Sequence, residues 1–119
     1  MNNFRNLKVW QKSVDFAVKV YFTTKEFPNE EKYGMVSQMR RASVSVPSNI
    51  AEGSAKSSKK VFCNSLETSL GESYELETQL EISKRVGLIS EEKSSSLEND
   101  LIEIQRMING LKSSIESQT

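Results

Sequence analysis

Apolar residues in this chain recur at intervals of three and four, the spacing of one helix face, with no sustained alternation of the strand type. Four such patterns follow one another. In the first, over about 7–24, Leu7, Trp10, Val14, Ala17 and Tyr21 form a seam, and Val18 and Phe22 widen it. Asn6 is the expected N-cap. The second, over about 30–52, has Val36, Met39, Ser43, Val46 and Ile50 on its core face. The third, over about 58–86, takes its apolar face from Phe62, Leu66, Leu70, Leu76 and Leu80, with Tyr74 at the edge. The fourth, over about 91–116, is the cleanest: Leu97, Leu101, Ile104, Ile108, Leu111 and Ile115 keep heptad-like steps.

The breaks between these patterns carry ordinary stop and start chemistry. Pro28 disfavours helix at Phe27, and Asn29 with Glu30 and Glu31 suits the start of the second helix. Gly53 is expected to end that helix at C′, Ser57 or Ser58 to cap the third, Gly87 to end it, and Ser90 to cap the fourth. Gln118 and Thr119 are expected to fray. Pro47 falls inside the second pattern. It deprives the Ser43 carbonyl of its helical donor, so a bend near Val44–Pro47 is expected; the rival reading ends the helix before Pro47. Gly71 lies mid-helix at a cost of about 1 kcal/mol against alanine, which a close helix crossing would offset. Short connections make consecutive helices antiparallel neighbours. The fold class is therefore all-α: one domain over 1–119, an antiparallel up-down-up-down four-helix bundle with helix 2 kinked near Pro47.

Composition narrows the chemistry. The chain has no histidine, which removes Ser-His and Cys-His catalysis, histidine zinc sites and the Glu-x-x-His ligands of di-iron bundles. Its single cysteine, Cys63, forms no internal disulfide and reads as a small buried hydrophobe. Glu72, Glu75 and Glu77 do not share one helix face, so they are not a metal or acid–base cluster. No phosphate-binding or dinucleotide motif is present. No catalytic, metal or cofactor-binding residues are nominated, no cofactor or small-molecule substrate is expected, and the chain reads as non-enzymatic. With no apolar run of membrane-spanning length and no signal-peptide pattern, it is expected to be cytoplasmic and without a membrane partner.

Net charge is zero, but unevenly distributed: residues 1–60 hold 11 Lys/Arg and 5 Asp/Glu, and residues 61–119 hold 5 and 11. Arg40, Arg41, Lys56, Lys59 and Lys60 are the candidate contacts, either with RNA or DNA or with another subunit. The alternative is pairing with the acidic half, within the molecule or between copies.

The segments FRNLKVWQKS, FPNEEKYGMVSQMRRASVSVPSNIAEG and ESYELETQLEIS, above all SQxRRAxxSVPSNIAEG, carry a resemblance that spans nearly the whole chain. It resembles the four-helix bundle proteins encoded in intervening sequences of bacterial 23S ribosomal RNA genes, also called the S23 ribosomal protein family, a name that records a gene location. The resemblance implies a homopentamer, and kinship with the pentameric, basic accessory variability proteins of diversity-generating retroelements, which work with nucleic acid and a reverse transcriptase. This chain departs from that accessory type in its zero net charge, and from the family's Gly-Ser in having Gly71-Glu72-Ser73. The functional expectation is an oligomeric bundle presenting a basic face to RNA or DNA; the alternative is a protein-interaction scaffold without nucleic-acid contact.

Overall fold

The computed structural model describes residues 3–118; Met1, Asn2 and Thr119, with the expected fraying of that last residue, lie outside them. The described chain is all helix and connection, without strands. Four helices dominate: α1 (Lys8–Thr24), α2 (Met35–Ser54), α3 (Lys59–Arg85) and α4 (Glu91–Glu116). They neighbour one another in chain order, with α1 closing back on α4, and among the described residues no Cα atoms of the diagonal pairs come within 8 Å. The body measures 48 × 23 × 20 Å, in keeping with helices of about 40 Å laid side by side at 1.5 Å per residue.

Caps set three of the boundaries, all on α3 and α4. The Ser58 hydroxyl accepts from the Val61 N–H at 3.2 Å, and the Ser90 hydroxyl from Lys93 at 3.1 Å. Glu91 and Glu92 follow Ser90 at the positive end of α4. Gly87, at φ 82°, closes α3: the Leu88 N–H reaches the Ser83 carbonyl and the Gly87 N–H reaches Lys84, the paired bonds of a Schellman turn.

Other expected boundaries move. Asn6 does not cap α1: it ends a 3-10 turn, Phe4–Asn6, which Asn3 caps, and Leu7 stands at the start of α1 without a side-chain cap. The helix expected from Glu30 is divided. Asn29–Glu31 is a 3-10 turn led by Pro28, and Gly34, at φ −109° and ψ −108°, separates it from α2. At the other end, Gly53 does not stop the helix. It is buried within α2, which runs to Ser54 through Pro47. The reading that ended the helix at Pro47 is thereby overturned.

The core face of α1 is the largest correction. Of the expected seam, Leu7 and Trp10 are half-buried against the edge of the core and Ala17 is buried, whereas Tyr21, with Val18 and Phe22, is exposed; none of them is at the bundle centre. Val9, Phe16 and Val20 are, with Ala17 at the margin. Ser13 and Thr24 complete that face and interrupt its hydropathy pattern. Each hydroxyl is satisfied within the helix, Ser13 by the Trp10 carbonyl at 3.0 Å and Thr24 by Val20 at 2.8 Å, so burial is inexpensive. The more apolar stripe was left on the other side. In α2, α3 and α4 the patterned positions point inward: Val36, Met39, Val46 and Ile50; Phe62, Leu66, Leu76 and Leu80; Leu97, Leu101, Ile104 and Ile108.

Helices α2 and α3 approach closely through small residues. A Cβ on Gly53 would lie 2.5 Å from the Ser65 Cβ and 3.0 Å from Phe62 Cδ1. The Ser69 hydroxyl, fully buried, donates to the Val46 carbonyl at 2.8 Å, and Ser83 contacts the Met39 sulfur at 3.7 Å. The expected close crossing at Gly71 is absent: it is exposed, with nothing within 4 Å of where its Cβ would stand. The close glycine is Gly53, because its face of α2 meets α3, whereas Gly71 lies on the outer face of α3.

Gly53→Ala should therefore lower the unfolding free energy by about 1–3 kcal/mol, the usual cost of forcing a methyl into a packed contact. Gly71→Ala should raise it, by up to about 1 kcal/mol, through helix propensity. Urea unfolding of the two variants checks the opposite signs.

Candidate functional site

The displaced stripe of α1 lies beside α2 and forms an apolar groove of about 470 Å³. Phe4, Trp10, Val14, Val18, Tyr21 and Phe22 line one wall; Val44, Pro47 and Ala51 line the other. Phe22 is 65% exposed, Val18 48%, Tyr21 44% and Val44 42%. Contiguous apolar surface of this kind marks an interaction site more often than a passive surface.

Cations stand over the aromatic rings of this groove. Arg5 lies 5.7 Å from the Phe4 ring centroid and 5.8 Å from that of Trp10. Lys25 lies 5.9 Å from Phe22. Arg40 is tightest, its guanidinium 4.6 Å from Tyr21. Each is attracted by the negative face of the ring. Phe4 and Trp10 meet edge to face at 5.1 Å. The groove is thus apolar at its floor and positive along its rim.

The five basic candidates do not converge. Arg40 bonds the Thr24 hydroxyl at 2.9 Å and the Tyr21 carbonyl at 3.3 Å, tying α2 to the end of α1. Arg41 faces the other way, to α3. It bonds both oxygens of Glu75 at 2.8 Å and lies 3.2 Å from Glu72 Oε1, though not aligned for a hydrogen bond there. The bond to Glu75 and the charge of Glu72 raise the Arg41 pKa above its ordinary value. Lys56, Lys59 and Lys60 sit at the far end of α2, roughly 20 Å along the helix from Arg41 at 1.5 Å per residue. There the Lys59 ammonium donates to the Gln118 carbonyl, and all three lysines are exposed.

The acidic half answers the basic half across the bundle. Lys12 pairs with Glu103 and Lys19 with Asp100 at 2.8 Å; within the acidic half itself, Lys112 pairs with Glu67 at 3.8 Å. On α3, Arg85 and then Lys84 hold the Glu81 carboxyl below the usual carboxylate range. No group of His, Cys, Asp or Glu among the described residues has the arrangement of a metal site. Cys63 is a free thiol, buried in the core cluster. No helix among the described residues is long and apolar enough to cross a membrane.

Sequence reasoning named the α1 residues of the groove but assigned them to the core; Phe4, Val44 and Ala51 it did not single out. The missed signal is that α1 carries two apolar stripes, the second through Val9, Phe16 and Val20. Only one of two such stripes fits a four-helix interior.

Arg40→Ala should cost about 1–2 kcal/mol, because it removes a hydrogen bond from a charged donor and a ring contact at a half-buried position. Arg41→Ala should cost less than about 1 kcal/mol, since Arg41 is 55% exposed and its pairs are screened. Chemical denaturation of the two variants checks that order.

No curated protein matches the chain. Among solved structures, a crystal structure from Bacteroides thetaiotaomicron VPI-5482, of a protein with unknown function from the S23 ribosomal protein family, superposes with a TM-score of 0.82. It is 33% identical, and the match covers 88% of this chain and 95% of that one. The family of the 23S rRNA-intervening sequence protein matches residues 5–110, which takes in the groove apart from Phe4, the Arg40–Arg41 pair and most of α4. With most of its length matched and the same fold in a relative, the chain belongs to the 23S rRNA-intervening sequence protein family.

Proposed function

We propose that this protein is a non-enzymatic, self-assembling bundle whose role is to build an oligomeric scaffold. The subunit is an antiparallel up-down-up-down bundle. Met39 meets Ser83, Val46 meets Ser69 and Gly53 meets Ser65, positions that rise on α2 as they fall on α3. Likewise Glu67 meets Lys112 and Glu77 meets Gln105 between α3 and α4. α2 bends near Val44–Pro47, where the Ser43 carbonyl lacks its helical donor.

The single observation that carries the scaffold reading is the α1/α2 groove. Burying one of its Val or Phe side chains fully is worth about 1.5–3 kcal/mol. A handful of them, already aligned on two rigid helices, is a substantial driving force for association. The subunit number implied by the family resemblance is five. The scaffold acts in the cytoplasm and uses no cofactor.

A second reading rests on the lysine-bearing end of the bundle. Lys56, Lys59 and Lys60 surround the N-terminus of α3, whose first turn holds no acidic residue, so the helix dipole adds to their positive potential. RNA or DNA phosphates suit such a surface, and contact would be electrostatic and steeply salt-dependent. Arg40 and Arg41 belong to intramolecular contacts in this reading, not to the phosphate surface.

Light scattering on the purified protein should give a mass several times that of one chain. Val18→Glu should reduce it to one chain while far-UV circular dichroism is unchanged. A wild-type monomer would sink the scaffold reading. For the second reading, gel shift at about 50 mM and about 200 mM salt should show RNA or DNA binding that weakens at least tenfold. Replacing Lys56, Lys59 and Lys60 together by alanine should abolish it with the oligomer intact; no binding at low salt removes that reading.

A further inference from the structure

The scaffold reading gives the groove a second copy as its occupant, and it leaves open which surface of that copy enters. We infer that the entering surface is the outer face of α3, so that each contact joins two different faces of the subunit. This rests on the scaffold reading and adds to it the identity of the partner surface.

α3 carries an apolar stripe that its own bundle does not use. Tyr74 is 49% exposed, Ile82 45% and, just past the helix end, Val86 65%. With Thr78 between them they step by four, on one face of the helix. Gly71 extends the stripe. It costs helix stability, and no other part of the subunit lies within 4 Å of where its Cβ would stand. The missing side chain leaves room there for a surface approaching from outside.

The charges match the groove. Tyr74, Thr78 and Ile82 line a cleft of about 580 Å³ whose border holds Glu77, Glu81 and, from α4, Glu98. Arg85 also stands there, but bonded to Glu81 at 2.7 Å. The α1/α2 groove is rimmed by Arg5, Lys25 and Arg40. An apolar stripe bordered by carboxylates therefore meets an apolar groove bordered by cations. Groove against groove, the two-fold alternative, would crowd like charges at the rim.

The order of the helices separates the surfaces. α1 and α2 neighbour each other on one side of the bundle, α3 and α4 on the other, with no diagonal Cα pair within 8 Å among the described residues. One subunit thus has its groove occupied while its α3 stripe enters the next, a heterologous contact that propagates until it closes.

Two disabled variants and their mixture test this by light scattering. Phe22→Glu disables the groove; Ile82→Lys disables the stripe. Each alone should be a monomer, because every contact uses one groove and one stripe. Mixed in equal amounts, they should give a dimer of twice the subunit mass, since the intact groove of one variant accepts the intact stripe of the other. If Ile82→Lys keeps the wild-type mass while Phe22→Glu is monomeric, the α3 assignment is overturned and the groove reading stands. If both keep it, the groove reading falls as well. Two monomers that stay monomeric when mixed overturn the heterologous pairing. A wild-type protein that is itself monomeric overturns both readings. Far-UV circular dichroism monitors folding, and Tyr74→Lys replaces Ile82→Lys should that variant unfold.

Discussion

The close contact of α2 with α3 positions everything else in this molecule. It exists because the facing residues are small: Gly53 against Ser65 and Phe62, with the Ser69 hydroxyl donating to the Val46 carbonyl. Two helices whose backbones approach this nearly lose freedom to slide or rotate, since interaxial distance follows the side chains at the contact. That fixes α2. Its opposite edge, with Val44, Pro47 and Ala51, then has one place to go, toward α1. The bond to Val46 also satisfies the Ser69 hydroxyl in a dry interface, where leaving it unmet would cost about 1–3 kcal/mol.

α1 is held differently. It gives the interior a modest face of Val9, Phe16 and Val20, spaced by Ser13 and Thr24. Toward α4 it relies on exposed charge pairs, Lys12 with Glu103 and Lys19 with Asp100, which are worth little individually in water. Its strongest link to α2 is Arg40, which grips the Thr24 hydroxyl and lies on the Tyr21 ring. Arg40 thus ties the helix down and also forms part of the groove rim. A single side chain couples the attachment of α1 to the rim of the groove.

Part of the charge asymmetry of the sequence is consumed by the fold. Lys12 and Lys19 of α1 meet acidic positions of α4, and Arg41 of α2 engages Glu75 of α3 in a forked contact beside Glu72. Such pairing leaves Arg41 as a cross-strut between α2 and α3. Basic side chains outside these pairs stand along the groove rim, with Arg5, Lys25 and Arg40, and at the bundle end around Lys56, Lys59 and Lys60.

The sequence by itself determined the helices. Their number, their interior faces in α2, α3 and α4, and the caps Ser58, Ser90 and Gly87 all follow from local rules: 3.6-residue periodicity, side-chain acceptors at N-termini, and a left-handed glycine at a C-terminus. The absence of histidine is equally local and removes whole classes of chemistry. What only the tertiary structure decided was which apolar stripe of α1 faces inward, whether Gly53 or Gly71 marks the close approach, and where Arg40 and Arg41 spend their charge. Those are choices between equivalent local patterns. Periodicity says that a face is apolar, not what covers it. The answer depends on the shape left by the other three helices, which admitted Val9, Phe16 and Val20 and kept Val18, Tyr21 and Phe22 outside.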